Sequence, residues 1–63
     1  MTTLEEAREI TIKYLEKRGI PSCEISDIKD KIFKWRIEAK RSTTRFVIEL
    51  SKSDGMILKF EVI

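Results

Sequence analysis

Few residues of this chain could do chemistry, and they lie close together. Cys23 and Glu24 precede Asp27 and Asp30, and the stretch KIFKWRIEAKR at 31–41 is followed shortly by Arg45. Carboxylates so close could hold a hard cation such as Ca²⁺, but the spacing of an EF-hand loop is absent, and turn formation and solubility account for them. Cys23 could be a nucleophile or a metal ligand. With no His as a base and no second Cys or His for zinc, it reads as a small core residue. Ser and Thr meet the same lack of a base, and no Gly-rich loop could cradle a phosphate. Cations beside aromatics at 31–41 raise a different chemistry, base stacking on an open sheet. Lys40, Arg41 and Arg45, clustered at one turn, could meet phosphates without any aromatic.

Whether those groups can act depends on the elements that carry them. The chain has 63 residues, enough for one domain with a small core and little room for a buried cleft. Thirteen Lys and Arg against eleven Asp and Glu leave a net charge of +2, far from the excess of a dedicated nucleic-acid binder. No apolar run approaches a membrane span, and the N-terminus lacks the apolar core of a signal peptide, so a cytoplasmic setting is expected, which a single Cys also fits. Asn and Gln are missing while Ile, Lys and Glu abound, a thermophile-like composition.

Thr3-Leu4-Glu5-Glu6 reads as a capping box, with two carboxylates at the positive end of a helix. Gly19 suits the left-handed position beyond the C-cap, Ile20 would meet Leu15 in a Schellman closure, and Pro21 prevents continuation. The helix is therefore predicted over about 4–18. Leu4, Ala7, Ile10, Thr11, Tyr14 and Leu15 share an arc of roughly 140°, and Ile12 falls outside it. After Pro21 the period becomes two, which predicts strands at about 22–28, 32–40, 44–51 and 56–63. The fold class is α+β: one N-terminal helix on a three- to four-stranded antiparallel meander.

Turn chemistry suggests the registers. Ser53-Asp54-Gly55 fits a three-residue hairpin loop, which sets Leu50 against Leu58, Ile48 against Phe60, Phe46 against Val62 and Glu49 against Lys59. A first loop at Lys29-Asp30-Lys31 would set Ile25 against Trp35, Cys23 against Ile37 and Glu24 against Arg36. Phe33 and Trp35 then share the dry face with Ile37 and Ala39. Lys34, Arg36, Lys40, Arg45 and Lys59 share the wet face with Glu24, Glu38, Glu49 and Glu61, mostly opposite partners of the other sign. Aromatics and cations separate, which disfavours base stacking. The same registers turn Ile28, Ile32, Val47, Ile57 and Ile63 outward, on a face the helix leaves open, and make 56–63 a long apolar edge strand.

The leading helix LEEAREITIKYLEKRGI, the strand FKWRIEAK and the closing FVIELSKSDGMILKFEVI together resemble a PepSY-type domain. That resemblance implies a small α+β unit of a kind often extracytoplasmic and associated with inhibiting or regulating peptidases. The family's Asp at the end of the third strand is Ser51 here, no export signal precedes the helix, and no functional residue carries over. The chain is expected to be a non-enzymatic protein-interaction module without a cofactor, binding a protein partner or a second copy. The contact would run through the C-terminal edge strand or the open face, with Ile28, Ile32, Ile57 and Ile63. The alternative is weak nucleic-acid binding through Lys40, Arg41 and Arg45.

Overall fold

The computed structural model describes all of residues 1–63. Helix α1, Leu4–Lys17, is followed by strands β1, Glu24–Asp30, β2, Lys34–Arg41, β3, Thr44–Ser51, and β4, Ile57–Val62. The strands form one antiparallel sheet in the order β1-β2-β3-β4, with the helix against one face. No helix is long and apolar enough to cross a membrane.

Local chemistry closes the helix at both ends. The Thr3 hydroxyl accepts from the Glu6 amide at 3.2 Å, and the Glu6 carboxylate accepts from the Thr3 amide at 3.0 Å. That hydrogen bond to the Thr3 backbone is the main reason the Glu6 carboxyl lies below its ordinary pKa. At the other end Ile20 N–H reaches Leu15 O at 2.9 Å and Gly19 N–H reaches Glu16 O at 3.0 Å, the Schellman pair read from Gly19. Ala7, Thr11 and Leu15 are buried. Thr11 is the one buried polar residue, and its hydroxyl donates back to Ala7 O at 2.8 Å. With Trp35, Ile37, Ala39, Phe46, Ile48 and Leu50, Ala7 and Leu15 make the core.

Trp35, Ile37 and Ala39 face the helix as their alternation requires. Phe33 does not. It lies in the β1–β2 turn, 82% exposed beside Ile32 at 84%. The predicted loop at 29–31 gives way to one at 31–33, where Lys31 N–H donates to Lys34 O at 3.0 Å. The register moves with it: Ile28 pairs with Ile37, Ile25 with Ala39 and Glu24 with Lys40. A bulge at Ser26, whose hydroxyl donates to Glu38 O at 3.2 Å, breaks the alternation. Without it Ile25 and Ile28 would point to opposite faces; with it both pack against the core.

The last hairpin repeats the device. Phe46↔Val62, Ile48↔Phe60 and Glu49↔Lys59 are the predicted pairs. Leu50, however, pairs with Ile57, and Leu58 is the extra residue of a second bulge. Ile57 thereby turns inward against the core, and Leu58 is left 58% exposed. Ile28 and Ile57 are therefore not outward residues, because the core gains more from two extra isoleucines than the ladder loses at two bulges.

The two glycines of the chain occupy left-handed conformations, φ 79° at Gly19 and 73° at Gly55. A Cβ on Gly19 would meet nothing within 4 Å, whereas one on Gly55 would lie 2.8 Å from Ile10 Cδ1. Gly19→Ala is thus expected to cost about 1–2 kcal/mol from backbone conformation alone. Gly55→Ala adds the displacement of Ile10 from the helix–sheet seam. Thermal unfolding of the two variants should show the larger drop for Gly55→Ala.

Candidate functional site

The sheet face away from the helix carries bands of charge that run across the strands. One row reads Lys29, Arg36, Glu49, Lys59, the next Asp27, Glu38, Val47, Glu61, and the next begins Glu24, Lys40, Arg45. Directly opposite neighbours include Lys29 with Arg36, Asp27 with Glu38, and Lys40 with Arg45. Glu24 with Lys40, Arg36 with Glu49 and Glu49 with Lys59 are opposite partners of the other sign, and the moved β1 register is what sets Lys29 against Arg36 and Asp27 against Glu38. Like charges directly opposite cost stability. Diagonal neighbours of the other sign, about 7–8 Å away, offset part of that.

Within this face Glu49 is the best-held carboxylate. Lys34 Nζ lies 3.0 Å from it, and the Glu49 side chain is 15% exposed. The hydrogen bond from Lys34 holds the Glu49 carboxyl below its ordinary value; partial burial opposes this, and the charges of Lys34, Lys59 and Arg36 add to it. A depressed carboxyl stabilises the fold above its unfolded pKa, and that contribution is lost as pH falls from 4.5 through the lowered folded value. Glu49→Gln should therefore cost up to about 1 kcal/mol at neutral pH, with the difference from wild type closing below pH 4.5 in urea titrations.

Val47 shares the charged face yet is 2% exposed and lies outside the core cluster. The stems of the long charged side chains around it account for its cover. Arg36 Nε is buried there without a hydrogen-bond partner.

Lys40, Arg41 and Arg45 lie at the β2–β3 turn, exposed and without a carboxylate within ion-pair distance, with Lys40 and Arg45 paired on the outer face and Arg41 on the other. The turn closes tightly, with Arg41 paired to Thr44 and Ser42 at φ 58°. Beside it is a shallow concavity of about 220 Å³ lined by Ser26, Glu38, Ala39, Lys40 and Arg45. It includes a carboxylate and no aromatic, and the exposed Phe33 lies in the other turn of β2, at the far end of the strand. The carboxylates Glu24, Asp27 and Asp30 do not converge: Glu24 faces Lys40, Asp27 faces Glu38, and Asp30 bonds Lys52. Cys23 is half-buried against the core, its Sγ 3.4 Å from Ile20 O.

The open edge is the remaining feature. Ile63 N–H donates to Arg45 O at 2.9 Å. In an antiparallel ladder this phase turns the main-chain groups of Glu61 and Lys59 toward β3 and those of Phe60 and Val62 outward. Leu58, Val62 and Ile63 are 58%, 56% and 69% exposed along the same strand. Phe60 is half-buried between the sheet and the helix, stacked 6.0 Å from Phe46 and edge-on at 5.5 Å to Tyr14, with the Arg18 guanidinium 4.7 Å from its ring centre.

Neither protein-family models, nor curated proteins, nor solved structures give a match to this chain. Its chemistry is therefore read from its own geometry. Of the isoleucines proposed for contact, Ile63 lies on the open edge and Ile32 at the β1–β2 turn, while Ile28 and Ile57 are half-buried against the core. Leu58 and Val62 take their place on the edge. Val62 keeps its predicted place opposite Phe46 yet is exposed, whereas Leu58 leaves the dry face, and the signal for that is the three-residue spacing of Ile57 and Phe60, which strict alternation cannot put on one face.

Proposed function

We propose that this protein is a small binding module that takes up a further extended polypeptide strand along β4. The observation that supports this best is the outward N–H and C=O of Phe60 and Val62 beside exposed Leu58, Val62 and Ile63. The opposite edge, β1, is guarded by a bulge and by Asp27, Lys29 and Asp30, features that discourage pairing. The resemblance of the sequence to a PepSY-type domain agrees with a role exercised through protein contact.

Selection from a display library of seven-residue extended segments tests this reading. Segments that bind should protect the Phe60 and Val62 amides from hydrogen exchange. Val62→Pro should abolish that protection while leaving the fold intact, because the Val62 N–H is not used in the sheet. Protection elsewhere, with β4 unchanged, would remove the proposal. The unpaired cluster of Lys40, Arg41 and Arg45 supports a second reading, weak contact with nucleic-acid phosphates, for which unchanged gel mobility of DNA and RNA at low salt is the disqualifying result.

A further inference from the structure

We infer that the strand taken up along β4 is β4 of a second copy of this chain, paired antiparallel about a twofold axis at Phe60. The inference rests on the edge-strand reading and adds the occupant and the register. Phe60 and Val62 have outward main-chain groups, so a pair of edges can bond only where such residues meet. Two twofold registers bring such residues together: with the axis at Phe60 it meets its own copy, and with the axis at Glu61 it meets Val62 of the partner subunit. With the axis at Glu61 the two Glu61 side chains face each other, and with the axis moved the other way, to Lys59, the two Lys59 side chains do.

With the axis at Phe60 the conflict disappears. Lys59 then faces Glu61 of the partner subunit, and Glu61 faces the partner subunit's Lys59. Leu58 faces the partner's Val62, so residues 58% and 56% exposed in the single chain cover each other. Phe60 meets its own copy in a bonded pair, which its outward N–H and C=O allow. Lys59 and Glu61 already lie 3.6 Å apart as exposed neighbours within the chain, so each changes partner without crossing the strand. The charge pattern of this strand is thus self-complementary in one register and repulsive in the registers on either side.

Sedimentation velocity over a concentration series from micromolar to millimolar tests this with the full chain. Wild type should dimerise, and Lys59→Glu or Glu61→Lys alone should weaken the dimer roughly tenfold, since two pairs turn repulsive at once. An equimolar mixture of the two variants should restore wild-type affinity as a heterodimer, because every facing pair is again of opposite charge. Glu61→Lys guards against a folding artefact, since Glu61 faces Val47, whereas Lys59 faces Glu49. A dimer indifferent to both reversals would overturn the register and with it the inference. A monomer throughout, with display-selected segments still protecting Phe60 and Val62, would overturn the second copy and leave the edge-strand reading standing. A monomer without such protection would remove both.

Discussion

Ile48→Ala is expected to remove about half or more of the folding stability of this protein. Ile48 is fully buried in β3, between Ile37 on β2 and Phe60 on β4, and both neighbours contribute to the apolar layer under the helix. Removing a buried isoleucine side chain to Cβ costs about 2–5 kcal/mol, the upper part of the range applying where the surroundings cannot collapse into the gap. Here collapse is hard, because paired strands hold the site on both sides. A domain of this size has a total stability of about 3–9 kcal/mol, so the loss is a large share of the whole. Urea titration followed by circular dichroism should show the midpoint at least halved with little change in slope. Ile48→Val, which removes one methyl group, should cost only about 0.5–1.5 kcal/mol. Equal effects from the two substitutions would mean that Ile48 is not packed as described.

Trp35→Ala should be of similar size, for a different set of reasons. Trp35 is 8% exposed on β2, and its indole N–H donates to Thr2 O at 3.1 Å. Lys52 covers the ring, its ammonium 4.6 Å from the ring centre, while the same ammonium bonds the Asp30 carboxylate. The Lys52 backbone accepts from Thr2 N–H at 2.6 Å and donates to Phe33 O at 3.1 Å. The indole therefore sits where the segment before the helix, the β1–β2 turn and the end of β3 are tied together. Truncation to Ala costs about 3–5 kcal/mol from lost packing. Trp35→Phe keeps a ring for Lys52 but removes the donor to Thr2, so about 1 kcal/mol of its cost belongs to that hydrogen bond. Unfolding followed by circular dichroism serves both variants, since the chain has no other tryptophan. A Trp35→Ala variant as stable as wild type would show that the helix does not rest on this ring.

The position of that ring also answers the question posed by aromatics among cations at 31–41. Trp35 points to the helix while Lys34 and Arg36 point away, as alternation about β2 requires. Phe33 escaped that reasoning because it precedes the strand, in a turn where alternation has no meaning. Charged residues at 29–31 looked more like a turn than the apolar pair Ile32 and Phe33 does. Yet the chain bends at the apolar pair, because bending there lets Asp30 reach Lys52 and brings Ile28 opposite Ile37.

The helix with both of its caps, the four strands in meander order, the inward face of β2 and β3, and the pairing of Phe46, Ile48 and Glu49 with β4 were all legible in the order of residues. Each rests on neighbours a few positions apart, through capping hydrogen bonds, a helical arc or a two-residue period. The bulges at Ser26 and Leu58 were not legible in that way. A bulge weakens its own ladder and is favoured only when distant residues gain by it. Here Ile25 with Ile28, and Ile57 with Phe60, are three positions apart and can share one face only if the strand skips a residue. The reward is contact with side chains from other elements, which no local pattern records. The moved first turn and the skip at Leu58 bring Ile28 and Ile57 against the core; the moved turn also sets Lys29 opposite Arg36 and Asp27 opposite Glu38, and the skip leaves Leu58 exposed on the open edge. The character of the exposed surface therefore follows from how the core is filled.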